Sequence, residues 1–160
     1  MSTSQFVSSA QQHYSMLSDW NLSKVREYLV EKEKYDESTA LAMEIEYKRF
    51  LALTLALDTK MNVPVSAEVD PFWHTHIIFT HDYTNMCHAL GGVYVHHVPA
   101  VTEEERGRLC DSYRESTLTL YKAAFGNPDP KFWPPNAQIC IACCDRPAPV
   151  PGQIARSLLI

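Results

Sequence analysis

Apolar residues recur every three to four positions over most of the first 126 residues, the period of helices that bury one face. Residues 21–32, NLSKVREYLVEK, predict a short amphipathic helix with Asn21 at its N-cap. Residues 36–60 open at Asp36 and are apolar nearly all round in their second half, so we expect the central, most buried helix there. Its expected core residues are Leu41, Ile45, Phe50, Leu51, Leu53 and Leu55.

Capping signals indicate where the helical pattern resumes after a crossing loop. Asp70 and Pro71 together predict a helix start, with the aspartate as cap and the proline at the first helical position, where its missing N–H costs nothing. Thr80 is a second cap-like residue, at which the helix continues or restarts. We expect it to reach Leu90 and to end at the glycine pair 91–92, since glycine tolerates the left-handed geometry of a helix terminus.

A last helix is predicted over residues 103–125. Thr102 and Glu105 have the spacing of a capping box, and Val101 is placed to act as the accompanying hydrophobic staple. Gly126 should end the helix. Its expected core residues are Leu109, Tyr113, Leu118, Tyr121 and Ala124. No individual helix is predicted within residues 1–20.

The last 34 residues differ in kind, because they hold seven of the ten prolines and no clear helical period. We therefore expect an all-α fold: a single bundle of about five helices over residues 1–126, followed by an extended arm over residues 127–160. The arm is too apolar to stay in water, so it should pack on its own bundle, on a second copy or on a protein partner. Its cysteines Cys140, Cys143 and Cys144 are either part of a docked apolar strand or a redox or metal-binding arm.

Composition narrows the classes of partner. The formal net charge is -5 and the basic residues form no cluster, which argues against nucleic acid and anionic membranes. No apolar run approaches the roughly 20 residues that span a bilayer, and the N-terminus has no targeting pattern. Five cysteines, an odd number, fit thiols in a reducing compartment. We expect a cytoplasmic protein.

The candidate chemistry lies in residues 69–99, which hold six of the seven histidines. His74 and His76 point about 200° apart on a helix, so one ion cannot use both. Asp70, one turn before His74, could orient its imidazole. Neighbours in extended chain project to opposite sides, so only one of His96 and His97 should face the helix.

Three readings of this histidine cluster stay open. In the first, the chain binds a divalent transition metal, zinc or ferrous iron, with an open coordination position. The ligands are Asp70, one of His74 and His76, and one of His96 and His97. In the second, the side chains form a buried polar lattice whose N–H groups bond to backbone carbonyls; its members would be Trp73, His76, Tyr83 and His97. The third is acid–base catalysis without a metal.

The helix around residues 80–90 supplies structural candidates. Tyr83 and Cys87 lie one turn apart in line with Leu90, which favours a core thiol over a ligand for Cys87. His81 and His88 share a mostly polar stripe, which is typical of surface residues. Two classes of function follow. The first is a metal-binding domain, either without catalytic activity or as a metalloenzyme acting on a small molecule or peptide. The second is a non-catalytic interaction module, in which the histidines brace the core and the arm binds a partner.

The pattern DPFWHTHIIFTHDYTNMC followed by GGVYVHHVP resembles the glycine-rich domain-containing protein-like family over residues 20–126. The family's D-x-x-W-H-x-H segment, its tyrosine and cysteine one turn apart and its H-H-x-P fall on Asp70, Trp73, His74, His76, Tyr83, Cys87, His96, His97 and Pro99. The glycine-rich region of the larger plant members has no counterpart in this chain. The resemblance implies a site at these residues but no particular reaction.

Overall fold

The protein is described here from a computed structural model, which covers residues 1–57 and 63–135. All regular structure in these two ranges is helical, so the all-α prediction is confirmed. The helices are α1 (Thr3–Ser18), α2 (Ser23–Glu31), α3 (Glu37–Ala56), α4 (Asp70–Ile78), α5 (Thr80–Ala89), α6 (Glu103–Ser112) and α7 (Leu118–Phe125). A π-helical turn, Tyr113–Thr117, joins the last two into one rod. No helix in the described ranges combines the length and apolar character needed to cross a membrane.

Helix α1 was not predicted from the sequence, although its start carries a recognisable signal. The Ser2 hydroxyl accepts the N–H of Gln5, and the Gln5 side chain accepts the N–H of Ser2, which together form a capping box. The helix buries Phe6, Ala10 and Leu17 and packs mainly against α3. With α1, the described residues form a bundle of six helical rods, in agreement with the expected bundle of about five helices.

Helix α3 is the centre of the bundle, as predicted, and α1, α2, α4 and α7 all pack against it. The Asp36 carboxylate caps it by accepting the N–H of Thr39 at 2.9 Å. The prediction that Leu41 and Ile45 are core residues was wrong, since they are 48% and 39% exposed. The covered face of this part of α3 instead runs through Ala40, Met43 and Tyr47.

Three charged residues of α3 are also buried, and each has partners that offset its loss of water. Glu44 pairs with Arg26 of α2 and, at 2.8 Å, with Lys48. The Lys48 ammonium also donates to the carbonyl of Trp20 at 2.8 Å, just beyond the end of α1. This pair therefore ties α1, α2 and α3 together.

The predicted cap of α2 and the predicted staple of α6 are not formed as expected. Helix α2 begins after Leu22, and the Asn21 side chain accepts only the N–H of Ser23 at 3.0 Å, one position early for an N-cap. The capping box of Thr102 and Glu105 is confirmed. Val101 is 81% exposed, so it is not a hydrophobic staple.

The predicted helix over residues 103–125 contains a π-helical turn that fixes two other parts of the chain. The Thr117 hydroxyl donates to the carbonyl of Pro64 at 2.9 Å, and the Tyr113 hydroxyl donates to the carbonyl of Pro134 at 3.2 Å. Of the predicted core residues, Tyr113, Tyr121 and Ala124 are buried, while Leu109 and Leu118 are half-buried. Gly126, with φ +85, ends the rod as predicted.

The first residues of the predicted arm belong to the core of the bundle. Phe132 and Trp133 are buried, and the Trp133 indole N–H donates to Glu46 Oε2 at 2.7 Å. The same carboxylate oxygen accepts the hydroxyl of Tyr121 at 2.6 Å. The division of the chain at residue 126 stays a prediction. Cys140, Cys143 and Cys144, and with them the remainder of the arm, lie outside the described residues.

Candidate metal centre

Asp70 lies in the first turn of α4, but it does not cap the helix as predicted. The turn before α4 is closed by Ser66, whose carbonyl accepts the N–H of Asp70 at 3.0 Å and whose hydroxyl accepts the N–H of Val69 at 3.3 Å. Val69 is the N-cap residue, and Pro71 follows within the first turn. The Asp70 carboxylate is therefore available for contacts outside its own backbone.

The Asp70 carboxylate faces two imidazoles, one on each oxygen. Oδ2 lies 2.9 Å from Nδ1 of His74, and Oδ1 lies 3.1 Å from Nε2 of His97. The two imidazole ring centres are 4.3 Å apart. One ligand atom from each of the three residues lies within 4.8 Å of the other two, so Asp70, His74 and His97 form a group able to hold a metal ion.

The electrostatics of the group keep its aspartate ionised. Burial raises the pKa of Asp70, but hydrogen bonds and charge from His74 and His97 lower it by more, so the pKa ends below its ordinary value. The Asp70 side chain is 1% exposed, that of His97 10% and that of His74 37%. The group therefore opens to solvent on the side of His74.

The segment that carries His97 has neither helix nor strand, so side-chain contacts position it. Val95 is buried, and its carbonyl accepts the hydroxyl of Tyr83 at 2.5 Å. The same hydroxyl accepts the indole N–H of Trp73 at 3.0 Å, and the Trp73 ring lies 4.5 Å from that of His97. His96, which lies between Val95 and His97, is exposed, and its ring centre is 4.8 Å from that of Tyr94.

His76 lies in a separate network and is not part of the group. It is fully buried, with Nδ1 2.9 Å from the Tyr47 hydroxyl and Nε2 2.8 Å from Oδ2 of Asp82. Burial lowers the pKa of His76, and Asp82 only partly offsets this effect. A neutral ring that donates from Nε2 to Asp82 and accepts the Tyr47 hydroxyl at Nδ1 fits both contacts. His76 thus links α3, α4 and α5.

The contact with Asp82 depends on a break between α4 and α5, where the sequence had left open whether the helix continues or restarts at Thr80. Helix α4 ends at Ile78, because the next residue, Phe79, interrupts the helical path with a φ of -80° and a ψ of 60°. Helix α5 begins without a side-chain cap from Thr80. Sequence reasoning missed Asp82 and Tyr47 as partners of His76, because Asp82 comes to the ring only through this change of direction. A spacing of six residues between a histidine and an aspartate does not by itself predict a contact between them.

The remaining candidates on α5 fall into a buried and an exposed set. Tyr83 and Cys87 are buried, and burial raises the pKa of the Cys87 thiol, which suits a core residue. His81 and His88 are exposed, and neither lies in the group of three. The His81 ring contacts the amide of Asn85 at 3.1 Å.

The donor set matches the chemistry of zinc and ferrous iron, which commonly take two imidazoles and one carboxylate and leave coordination positions open. Ligands about 2.0 to 2.2 Å from a tetrahedral ion lie about 3.3 to 3.6 Å apart. The two oxygen–nitrogen distances, 2.9 and 3.1 Å, fall a few tenths of an ångström below that range. Both contacts would therefore have to lengthen by a few tenths of an ångström for an ion to bind between the side chains.

Residues 8–116 match the protein family described as UCP032817-like, a stretch that covers more than half of the chain and includes Asp70, His74 and His97. No curated protein and no solved structure matches the chain. The resemblance to the glycine-rich domain-containing protein-like family is tested by none of these comparisons and stays a prediction. The match establishes that the chain belongs to the UCP032817-like family.

Proposed function

We propose that this protein binds one divalent transition metal ion, zinc or ferrous iron, through Asp70, His74 and His97. The observation that supports the proposal is a buried carboxylate with an imidazole nitrogen at 2.9 Å from one oxygen and another at 3.1 Å from the other. All three side chains are types that bind these metals, and their ligand atoms already converge.

Burial and exposure within the group fit a site that takes up an ion from solution. The carboxylate has its pKa lowered and is ionised at neutral pH, so no proton has to leave it before an ion binds. Its nearly complete burial fixes it in place, while His74 is 37% exposed and offers the way in.

Three protein ligands leave at least one coordination position for water or a substrate. A metal ion in such a site polarises a bound carbonyl or lowers the pKa of a bound water molecule. We therefore propose a metalloenzyme that acts on a small molecule or a peptide. The exposed side at His74 is where such a substrate would reach the ion.

A second candidate function is a non-catalytic interaction module. It is favoured by a specific observation: both oxygens of Asp70 already contact imidazoles, as Asp82 contacts His76 in the neighbouring network. In this reading Asp70 only fastens the segment around His97 to α4. The arm would then carry the function by binding a protein partner or a second copy.

Metal binding by the untagged, chelator-treated protein separates the two functions. Zinc and, without oxygen, ferrous iron are titrated into the wild type, Asp70→Asn, His74→Ala and, as a matched control, His88→Ala, which removes an exposed imidazole of α5. We expect one ion per chain. Loss of a ligand should weaken binding by more than about 100-fold, because loss of an outer partner alone costs 10- to 100-fold.

The metal affinity of His88→Ala should lie within about threefold of that of the wild type, because this variant loses an imidazole that is not part of the group of Asp70, His74 and His97. The proposal would be refuted if the wild type took up neither zinc nor ferrous iron. Equal affinities in all four proteins would refute it as well, since the metal would then bind elsewhere. The interaction-module reading predicts that Asp70→Asn lowers stability in the presence of chelator while adding metal stabilises neither protein.

A further inference from the structure

We infer that Tyr83 is a positioning residue for the metal centre, and that its hydroxyl group determines where His97 lies. The inference rests on the proposed metal-binding function and extends it to a residue that contacts no ligand atom of the group. Tyr83 is fully buried on α5 and lies one helix away from Asp70 and His74.

The Tyr83 hydroxyl joins two parts of the site through one oxygen atom. It accepts the indole N–H of Trp73, which comes from α4, the helix of Asp70 and His74. It donates to the carbonyl of Val95 at 2.5 Å, two residues before His97. The hydroxyl therefore holds the segment with the third ligand at a fixed distance from the helix with the first two.

The alternation of the segment explains why fixing Val95 also fixes His97. Residues two apart in extended chain project to the same side, and here Val95 is buried and His97 is nearly so, whereas His96 and Val98 are exposed. The segment has no backbone ladder or helix to hold it. The contacts that hold it include the Tyr83 hydrogen bond, a hydrogen bond between the Val95 backbone and the Cys87 thiol, the Trp73 ring and the contact with Asp70.

Replacing Tyr83 with phenylalanine isolates this role. The ring would keep its edge contacts with His76, at 5.1 Å between centres, and with Tyr94, at 5.2 Å. The Val95 carbonyl would lose a hydrogen bond and the Trp73 N–H its acceptor, so the segment would shift or loosen. Residues that orient a metal ligand typically cost 10- to 100-fold in metal affinity when they are lost.

The test compares Tyr83→Phe with Tyr121→Phe by competition of the full-length protein with a zinc chelator. Tyr121 is a matched control because it is equally buried and its hydroxyl bonds to Glu46 and Arg49 in a different network. We expect both variants to have a lower Tm. Only Tyr83→Phe should weaken zinc binding, by about 10- to 100-fold, whereas Tyr121→Phe should stay within about threefold.

A double-mutant cycle distinguishes positioning from a general structural effect. In the His97→Ala background, Tyr83→Phe should change zinc affinity by less than about twofold, because the ligand that it positions is already gone. In metal-free protein, Tyr83→Phe should also speed hydrogen exchange of the amides of residues 96–98. If Tyr83→Phe does not fold, Trp73→Phe, which removes the indole donor and keeps a ring, is measured in its place.

The outcomes separate this inference from the proposed function. A wild type that binds neither zinc nor ferrous iron refutes the proposed function, and unchanged amide exchange in Tyr83→Phe then refutes the positioning role as well. A wild type that binds zinc while Tyr83→Phe binds within about threefold refutes the inference alone. An equal loss of affinity in Tyr83→Phe with and without His97 refutes it too.

Discussion

His97 lies 3.1 Å from Asp70, measured between Nε2 and Oδ1, although 27 positions separate the two residues in the sequence. The contact joins a segment without regular structure to the first turn of α4. It also places a second imidazole on a carboxylate that His74 already contacts. The proposed metal binding depends on this convergence.

The adjacent residues His96 and His97 should differ sharply in their effect on metal binding. His97→Ala should reduce zinc affinity by more than about 100-fold, because it removes a ligand and not merely an outer partner. His96→Ala should change it by less than about threefold, since that ring is exposed and lies against Tyr94. Calorimetric titration of both variants provides the measurement. Similar losses in the two would mean that the segment acts as a whole rather than through one ring.

Trp73 should be a structural anchor whether or not metal is bound. Its indole is buried, lies 4.8 Å from the ring of Phe50 and donates to the Tyr83 hydroxyl. Trp73→Ala should therefore lower the free energy of unfolding by about 3 to 5 kcal/mol through the cavity it leaves. Urea unfolding in the presence of chelator measures this loss. A value under about 1 kcal/mol would contradict a core position.

The start of the arm should contribute to stability through Trp133, which is buried and bonded to Glu46. Trp133→Ala should cost about 3 to 5 kcal/mol by urea unfolding, whereas Lys131→Ala, an exposed neighbour, should stay within about 0.5 kcal/mol. Deletion of residues 127–160 should cost at least as much as Trp133→Ala, because it also removes Phe132. An unchanged Tm after the deletion would contradict the docked position of both rings.

His13 should make the fold less stable as the pH falls. Burial lowers the pKa of His13, and its Nδ1 is buried without a hydrogen-bond partner among the described residues. Below about pH 6.5, the ordinary value, the unfolded chain binds more protons than the folded one, so stability falls with falling pH. His13→Gln should show a shallower fall of Tm between pH 7.5 and pH 5. His88→Gln, at an exposed position, should keep the slope of the wild type; equal slopes in all three proteins would contradict the prediction.

Local signals in the sequence predicted most of the helix boundaries. Asp36, the capping box of Thr102 and Glu105, and Gly126 each act on backbone groups within four residues, so they can be read without a fold. The failure at α1 came from overlooking the equivalent box of Ser2 and Gln5. Leu41 and Ile45 failed for another reason, because which face of α3 is covered depends on helices that pack from distant parts of the chain.

The candidate site was predictable in its residue types but not in its geometry. Helical spacing related Asp70 to His74, and opposite projection separated His74 from His76 and His96 from His97. The sequence did not reveal that Ser66 would close the turn before α4, so that the Asp70 carboxylate can contact the two imidazoles. Tyr83 was a structural candidate from the sequence, but its hydrogen bond to the carbonyl of Val95 was hidden, because the two residues meet only through the turn that follows α5 at the glycine pair 91–92.

Anomalous scattering at the zinc edge, from crystals of the untagged protein with one equivalent of zinc, tests metal binding at Asp70, His74 and His97 most directly. The account predicts one strong peak per chain about 2.0 to 2.2 Å from an oxygen of Asp70 and from one ring nitrogen each of His74 and His97. It would be contradicted by zinc bound only elsewhere, for example at the exposed His81 or His88. It would equally be contradicted by the absence of any peak, with the distances from Asp70 to the two imidazoles unchanged.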